Sequence, residues 1–376
     1  MYQIKLFNKI SAVGTSRLDP AKYACGEDLD NYDAILVRSA KLHDTAFPKA
    51  CRCIARAGAG VNNIPLDRCA EEGIVVFNTP GANSNAVKEL VICGLLLASR
   101  KVVQGAQWVQ SLSGSPDIGP AAEKGKAAYA GPELMGKTLG VIGLGAIGWK
   151  VANAAEALGM NVLGYDPYLS DASRAALSPN VTVTTLDDVF TQADYITVHV
   201  PLLDSTRSLI CADSLAKMKD GVRIVNFARG ELVDTAAMAD ALASGKAAAY
   251  VCDFASDEIL AQPNAVVLPH LGASTPESED NCAIMACDEV SDFLENGNIV
   301  NSVNFPAVSL GQRGGSPRVL VLAKAGTDIA ALLQKQGVSV SAKSEGSRGN
   351  YCAFLADVDQ VLPSLDGDGI LSVRTL

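Results

Sequence analysis

Proton transfer near neutral pH calls for an imidazole, and this chain has three histidines to supply one. His43 sits in a polar, surface-like stretch and reads as inert. His199 comes two residues before Pro201 at the end of an apolar strand, a place that suits packing beside a cofactor better than catalysis. His270 follows another apolar strand, in Leu268-Pro269-His270-Leu271-Gly272-Ala273-Ser274-Thr275. Ligands of open α/β sheets bind outside the carboxyl ends of strands, so His270 is the candidate acid–base. Arg229 also ends a strand, in Asn226-Phe227-Ala228-Arg229-Gly230. Its planar guanidinium can grip a carboxylate through two parallel bonds and polarise a neighbouring carbonyl. Asp253 and Glu258 lie between them in sequence. A carboxylate beside the imidazole would favour its charged form and fix its orientation.

Gly143-Leu144-Gly145-Ala146-Ile147-Gly148 is a G-x-G-x-x-G run placed between a strand and a helix. The first glycine makes the turn, the second admits a pyrophosphate, and the third lets the helix pack on the strand. Asp166 ends the next strand, eighteen residues beyond Gly148. A carboxylate there accepts ribose hydroxyls and repels an extra phosphate, and Pro167-Tyr168 brings no compensating arginine. The pattern predicts NAD rather than NADP.

These groups need a scaffold. Strands read at Ala34–Val37, Cys51–Ala57 and Ile74–Phe77, followed by one long apolar helix from Ala86 to Val109. A second series of strands reads at Leu139–Gly143, Asn161–Asp166, Tyr195–Val200, Arg223–Phe227, Ala249–Phe254 and Val266–Leu268. Helices alternate with them, giving a doubly wound parallel α/β sheet. A nucleotide unit that begins near residue 137 predicts an inserted domain: 87–272 for the cofactor, 1–86 with 273–306 for the substrate. Glu277 to Asn296 reads as one more helix and Pro306 to Pro317 as a linker. Residues 307–376 then follow a βαββαβ pattern, with a short helix near Gln360–Leu365 and both helices on one face.

Composition sets the outer limits. The formal charge of -10 argues against nucleic acid and anionic membranes as partners. An anionic substrate would therefore need a local cationic pocket. The longest apolar run, Val91 to Ala98, is too short for a membrane span, and lysines interrupt any signal-peptide core. Ten cysteines without a C-x-x-C pair read as free thiols of a reducing cytoplasm, and no metal site is expected.

The order of Arg229, Asp253, Glu258 and His270 after the glycine run resembles the D-isomer-specific 2-hydroxyacid dehydrogenases, over roughly residues 30 to 306. Val37-Arg38-Ser39, Arg56-Ala57-Gly58-Ala59-Gly60-Val61, Asn78-Thr79-Pro80-Gly81-Ala82-Asn83-Ser84, Asn226–Asp234 and Pro269–Thr275 resemble the phosphoglycerate branch of that family. The resemblance implies a flavodoxin-like substrate domain, with His270 as acid–base, Glu258 as its partner and Arg229 as carboxylate clamp. Asp257 stays open as the partner, because Ile259-Leu260 follows Glu258 where the family has proline. Arg38, Ser39, Arg56, Gly58 and Asn83 would receive the far, phosphorylated end of the substrate. Ala146, Ile147, Pro167, His199, Val200, Pro201, Thr206, Phe227, Ala228 and Gly272 would join the glycines, Asp166, Arg229, Asp253 and His270 around NAD.

The implied reaction is oxidation of a phosphorylated 2-hydroxy acid, the step that opens serine synthesis, in a cytoplasmic homodimer that could associate into a tetramer. A hydroxypyruvate, glyoxylate or D-lactate reductase is the alternative, and a non-catalytic NAD sensor the remote one. The last seventy residues resemble an ACT regulatory module, but Val321, Ala323 and Ser339 stand where effector-binding side chains are usual. Serine is not expected to inhibit through them.

Overall fold

The computed structural model describes residues 1–376. They form two compact units, Met1–Asn83 with Thr275–Leu376, and Ser84–Ser274. The first unit opens with β1 (Tyr2–Phe7), β2 (Tyr23–Gly26), β3 (Ala34–Val37), β4 (Cys53–Arg56) and β5 (Val75–Asn78). All pairings are parallel, in the order β2-β1-β3-β4-β5 of a flavodoxin-like sheet. Every residue of β3 is buried because both faces of the sheet are covered. The helix Pro276–Asn296 lies on one face. Thr275 caps its start through the Ser278 amide, and Gly297 ends it at φ 75°. Its Cys282, Ala283, Ala286, Cys287, Val290, Phe293 and Leu294 are buried at three- and four-residue spacing.

The second unit holds β6 (Thr138–Ile142), β7 (Asn161–Tyr165), β8 (Thr182–Val183), β9 (Tyr195–Val198), β10 (Val222–Asn226), β11 (Ala247–Cys252) and β12 (Ala265–Val267). The order β12-β11-β10-β9-β6-β7-β8 is the doubly wound one, reversing direction between β6 and β9. The single helix expected from Ala86 to Val109 is two, Ser84–Ser99 and Val102–Ser111. The first buries Val87, Val91, Leu95 and Ala98 against the sheet, whereas the second buries nothing. At the break, Ser99 is held by the Leu95 carbonyl and the Tyr195 hydroxyl, both at 2.8 Å. The apolar pattern ran across a junction that this buried hydrogen-bond pair makes.

The terminal segment adds β13 (Arg318–Lys324), β14 (Val340–Arg348), β15 (Tyr351–Val358) and β16 (Ile370–Thr375), antiparallel in the order β14-β15-β13-β16. Its one helix is Ile329–Lys335, and the second one expected near residues 360–365 does not form. Pro363 interrupts that stretch, and Thr375 holds both the amide and carbonyl of Leu362 (3.2 and 2.6 Å). One face of the sheet packs on that helix through Val319, Val321, Ala323 and Phe354. The opposite face is not free: Leu320, Leu322, Ala353 and Leu355 share a core with Phe293, Leu294, Phe77 and Phe305.

Arg318, almost fully buried, bonds to Asp357 at 2.7 Å and to the carbonyls of Gly311 (2.8 Å) and Asn296 (3.2 Å). Arg374 donates to the Phe293 (3.1 Å) and Leu294 carbonyls and to the Tyr2 hydroxyl (3.2 Å). The presumed linker is itself pinned, through an Ile299–Val308 bridge. The ten cysteines are all free thiols, no cluster of residues could hold a metal, and no helix is long and apolar enough to cross a membrane.

Candidate active site

In the second unit most of the sequence-selected residues lie in the turns that leave the carboxyl ends of β6, β7, β9, β10, β11 and β12. After β6, Gly143 adopts φ 92°, and a Cβ there would lie 2.8 Å from the His199 carbonyl group. A Cβ on Gly148 would lie 1.8 Å from the Gly143 oxygen, so helix and strand approach as only glycine allows. Gly145 has nothing within 4 Å of its Cβ position, which leaves its backbone open to a ligand. The Gly148–Ala157 helix has no side-chain cap; its Trp149 amide donates to the Gly145 carbonyl (3.3 Å), and its positive dipole end faces the turn. Ala146 and Ile147 complete the turn.

Asp166, one residue past β7, ties this loop down. Its Oδ2 accepts the Leu144 amide (2.9 Å) and its Oδ1 the Tyr168 amide (2.8 Å). Each oxygen keeps a lone pair for a ribose hydroxyl. Pro167 is exposed beside it. Turn, helix start and carboxylate together fit a dinucleotide.

Beyond β9, the His199 ring meets the Thr197 hydroxyl at 3.0 Å, while its Nδ1 is buried without a partner. Burial lowers its pKa to about 4, so the ring is neutral near pH 7 and keeps a single N–H. Val200 and Pro201 lead into a loop closed by Thr206, whose hydroxyl donates to the Pro201 carbonyl at 2.6 Å. Beyond β10, buried Asn226 accepts the Ala228 amide (3.1 Å) and donates to the Arg229 carbonyl (2.9 Å). This lock projects Arg229 to solvent, with Nη1 spent on the Ala228 carbonyl and no acid paired to the rest. Phe227 is buried beneath the turn.

Asp253 follows β11 and is almost wholly buried. Its Oδ2 accepts the Gly272 amide at 3.2 Å, and its Oδ1 has no partner. Burial raises its pKa, while the Gly272 amide and the charges of His270 and Arg229 pull the other way. Asp253 thus senses both candidate catalytic groups. His270 takes a left-handed φ of 42°, unusual for a side chain of its size. Its ring stands edge-on to Phe254, centroids 5.3 Å apart at 79°. Neither Glu258 nor Asp257 bonds to the imidazole; both are exposed on the short Asp257–Leu260 helix.

In the first unit, Arg38, Ser39, Arg56, Gly58 and Asn83 gather at the carboxyl edge of the flavodoxin-like sheet. Arg56 Nε donates to the Arg38 carbonyl (3.0 Å), and Asn8 accepts the Ser39 amide (3.1 Å). Gly58 lies at φ 147°, where a Cβ would meet the Arg56 guanidinium at 2.3 Å. Arg38 pairs with Glu279 at 2.7 Å. Asn226, Phe254 and Glu279 escaped the sequence reading. Asn226 and Phe254 adjoin motif residues and signalled themselves only by position, and Glu279 looks like an ordinary first-turn helix acid.

The chain is 35% identical over 292 residues to the D-3-phosphoglycerate dehydrogenase of Bacillus subtilis, and 36% over 325 residues to that of Mycobacterium leprae. Those alignments take in 75% and 84% of this chain but 53% and 59% of the relatives, so it spans little more than half their length. Among solved structures, a glyoxylate reductase from Paecilomyes thermophila superposes with a TM-score of 0.67 at 28% identity, over 80% of this chain and 98% of that one. An NADPH-dependent glyoxylate/hydroxypyruvate reductase from Sinorhizobium meliloti gives 0.65 at 25%, over 80% and 96%. Residues 92–272 match the model for the D-isomer specific 2-hydroxyacid dehydrogenase, NAD binding domain, and belong to that family.

Proposed function

We propose that this protein oxidises 3-phospho-D-glycerate to 3-phosphohydroxypyruvate with NAD, the entry into serine synthesis, with His270, Arg229 and Glu258 as its catalytic residues. The observation that carries the reading is that the charges of His270 and Arg229 both bear on buried Asp253, at the carboxyl edge of the same sheet whose β6 ends in the glycine turn, within one unit. Arg229 holds the C1 carboxylate. His270 takes the proton of the C2 hydroxyl. Bound NAD supplies a nicotinamide ring that accepts the hydride. In the reverse direction His270 returns its proton to the forming alkoxide. Glu258 would have to turn inward to reach the ring.

Arg38 and Arg56, with Ser39, Gly58 and Asn83, supply the cationic edge that a phosphate requires in so acidic a chain. The phosphoglycerate dehydrogenase names of the similar curated proteins support the same substrate. We place the enzyme in the cytoplasm as a homodimer, for which the partly exposed Leu96, Val102 and Val109 of the paired helices give an apolar face. Of Val321, Ala323 and Ser339, the first two are fully buried beneath the ACT-like helix and only Ser339 is exposed, so serine does not inhibit through this site.

The test compares kcat/KM for phosphohydroxypyruvate and hydroxypyruvate in wild type, Arg38→Ala and Arg56→Ala. Each loss should lower the phosphorylated substrate at least about tenfold more than the other. Faster turnover of hydroxypyruvate by wild type would favour the glyoxylate/hydroxypyruvate reductase reading and reject ours.

A further inference from the structure

At the amino ends of β1, β3 and β4, the edge opposite Arg38 and Arg56, the first unit contains a second polar cavity, of about 690 Å³. Four basic residues line it, Lys22, Arg52, Arg313 and Arg374, against two acidic ones, Asp33 and Glu295. Glu295 is already engaged, accepting Lys22 (2.7 Å) and the Tyr23 hydroxyl (2.6 Å), whereas Asp33 accepts the Gln3 amide (2.8 Å) and leaves the four basic residues in excess. Arg374 is buried and committed to the Phe293 and Leu294 carbonyls. Arg52 and Arg313 have no side-chain hydrogen bond or ion pair.

The half-buried Arg52 lies close enough to Arg374 for the two like charges to repel. No side-chain carboxylate forms an ion pair with either guanidinium, although Asp33 lines the same cavity. Its walls come from three pieces: the N-terminal sheet (Arg52), the connecting stretch (Arg313) and the end of β16 (Arg374). About four residues of extended strand, roughly 13 Å, separate Arg52 from Arg56, so this is not the substrate edge.

We propose that this cavity binds a small multivalent oxyanion, a phosphoryl or polycarboxylate metabolite, which bridges Arg52 and Arg313 over Arg374 and clamps the terminal sheet to the N-terminal one. Occupancy relieves the guanidinium repulsion and adds charge-assisted hydrogen bonds. Because the ligand needs all three pieces assembled, it stabilises the docked terminal sheet by mass action.

The full chain, saturated with NADH, is titrated calorimetrically with inorganic pyrophosphate and with citrate at constant ionic strength. Saturable binding of either is expected, and the stronger of the two identifies the anion class. Arg52→Ala and Arg313→Ala, which remove no intramolecular bond, should each weaken binding about tenfold. Arg38→Ala, on the other edge of the sheet, should leave it unchanged. Hydrogen exchange in 370–376 should slow on binding in wild type and not in the double variant. The proposal is overturned if wild type binds neither anion, or if the Arg52→Ala/Arg313→Ala protein binds as wild type does. Sensitivity to Arg38→Ala instead would assign the anion to the substrate edge and equally reject it.

Discussion

Replacing Asp166 with asparagine isolates what that carboxylate does. Both of its oxygens accept a backbone amide, from Leu144 at 2.9 Å and from Tyr168 at 2.8 Å. An amide side chain has one acceptor, so its NH2 must face one of those N–H donors and leave it unpaired. That loss is worth about 1–3 kcal/mol. One ribose hydroxyl also loses a charged acceptor, worth about 1.5–3 kcal/mol. With partial relaxation by water, about 3 kcal/mol should disappear from cofactor binding, or a fall of about 100-fold in kcat/KM for NADH. NADPH should respond differently. Its extra phosphate meets a carboxylate in wild type, and a like-charge contact near the surface is worth a few kcal/mol. The variant should therefore lose little with NADPH, and the NADH-to-NADPH preference should fall by about tenfold or more. The assay is initial rate against each cofactor at saturating 2-keto acid. An Asp166→Asn enzyme with unaltered NADH kinetics and an unaltered cofactor ratio would refute the assignment of the ribose site.

The glycine run separates fold from function. Gly145→Ala should keep the melting temperature within a few degrees yet abolish NADH binding, whereas Gly148→Ala, with a Cβ 1.8 Å from the Gly143 oxygen, should lower both; NADH fluorescence titration and thermal melts decide. Burial raises the Glu289 carboxyl from its ordinary 4.5 to about 8. The neutral form is the one the fold favours, so its contribution is complete below about pH 4.5 and lost as pH rises through 8. Glu289→Gln, which keeps an acceptor for Asn301, should match wild type at pH 4 and exceed it by about 1–3 kcal/mol at pH 9 in denaturant melts. Ending the chain at Phe305 strips Leu320, Leu322, Ala353 and Leu355 from a shared core. Each large side chain contributes about 1.5–3 kcal/mol, so the shortened protein should melt at least ~10 °C lower, by calorimetry. A truncation that melts with wild type would show the terminal sheet to be merely tethered.

Much of this architecture is visible in the residues because parallel strands buried on both faces are continuous apolar runs. β3 and the strands of the nucleotide unit show it, and Arg229 and His270 announce themselves by ending such runs. β1 and β2 do not: Gln3 and Lys5 break the first, and the second is only four residues, Tyr23-Ala24-Cys25-Gly26, one of them buried. The helix break after Ser99 depends on a hydroxyl pair with Tyr195, a partner 96 residues away that no local pattern encodes. The lost helix near residues 360–365 is partly legible in Pro363, but the capture of Leu362 by Thr375, thirteen residues on, is not. In the site, residue types were legible and pairings were not. Arg38 carries Glu279, Asp253 rather than Glu258 senses His270, and Phe254 flanks the imidazole.

The central claim is that the imidazole of residue 270 moves the substrate proton while the guanidinium of residue 229 holds the carboxylate. Steady-state reduction of a panel of 2-keto acids, followed at the nicotinamide absorbance for wild type, His270→Gln and Arg229→Leu, tests it most directly. The account predicts that His270→Gln lowers kcat by about 10²–10⁴ with NADH binding intact, and that Arg229→Leu chiefly raises KM for every carboxylate. A His270→Gln enzyme that turns over at the wild-type rate would contradict it.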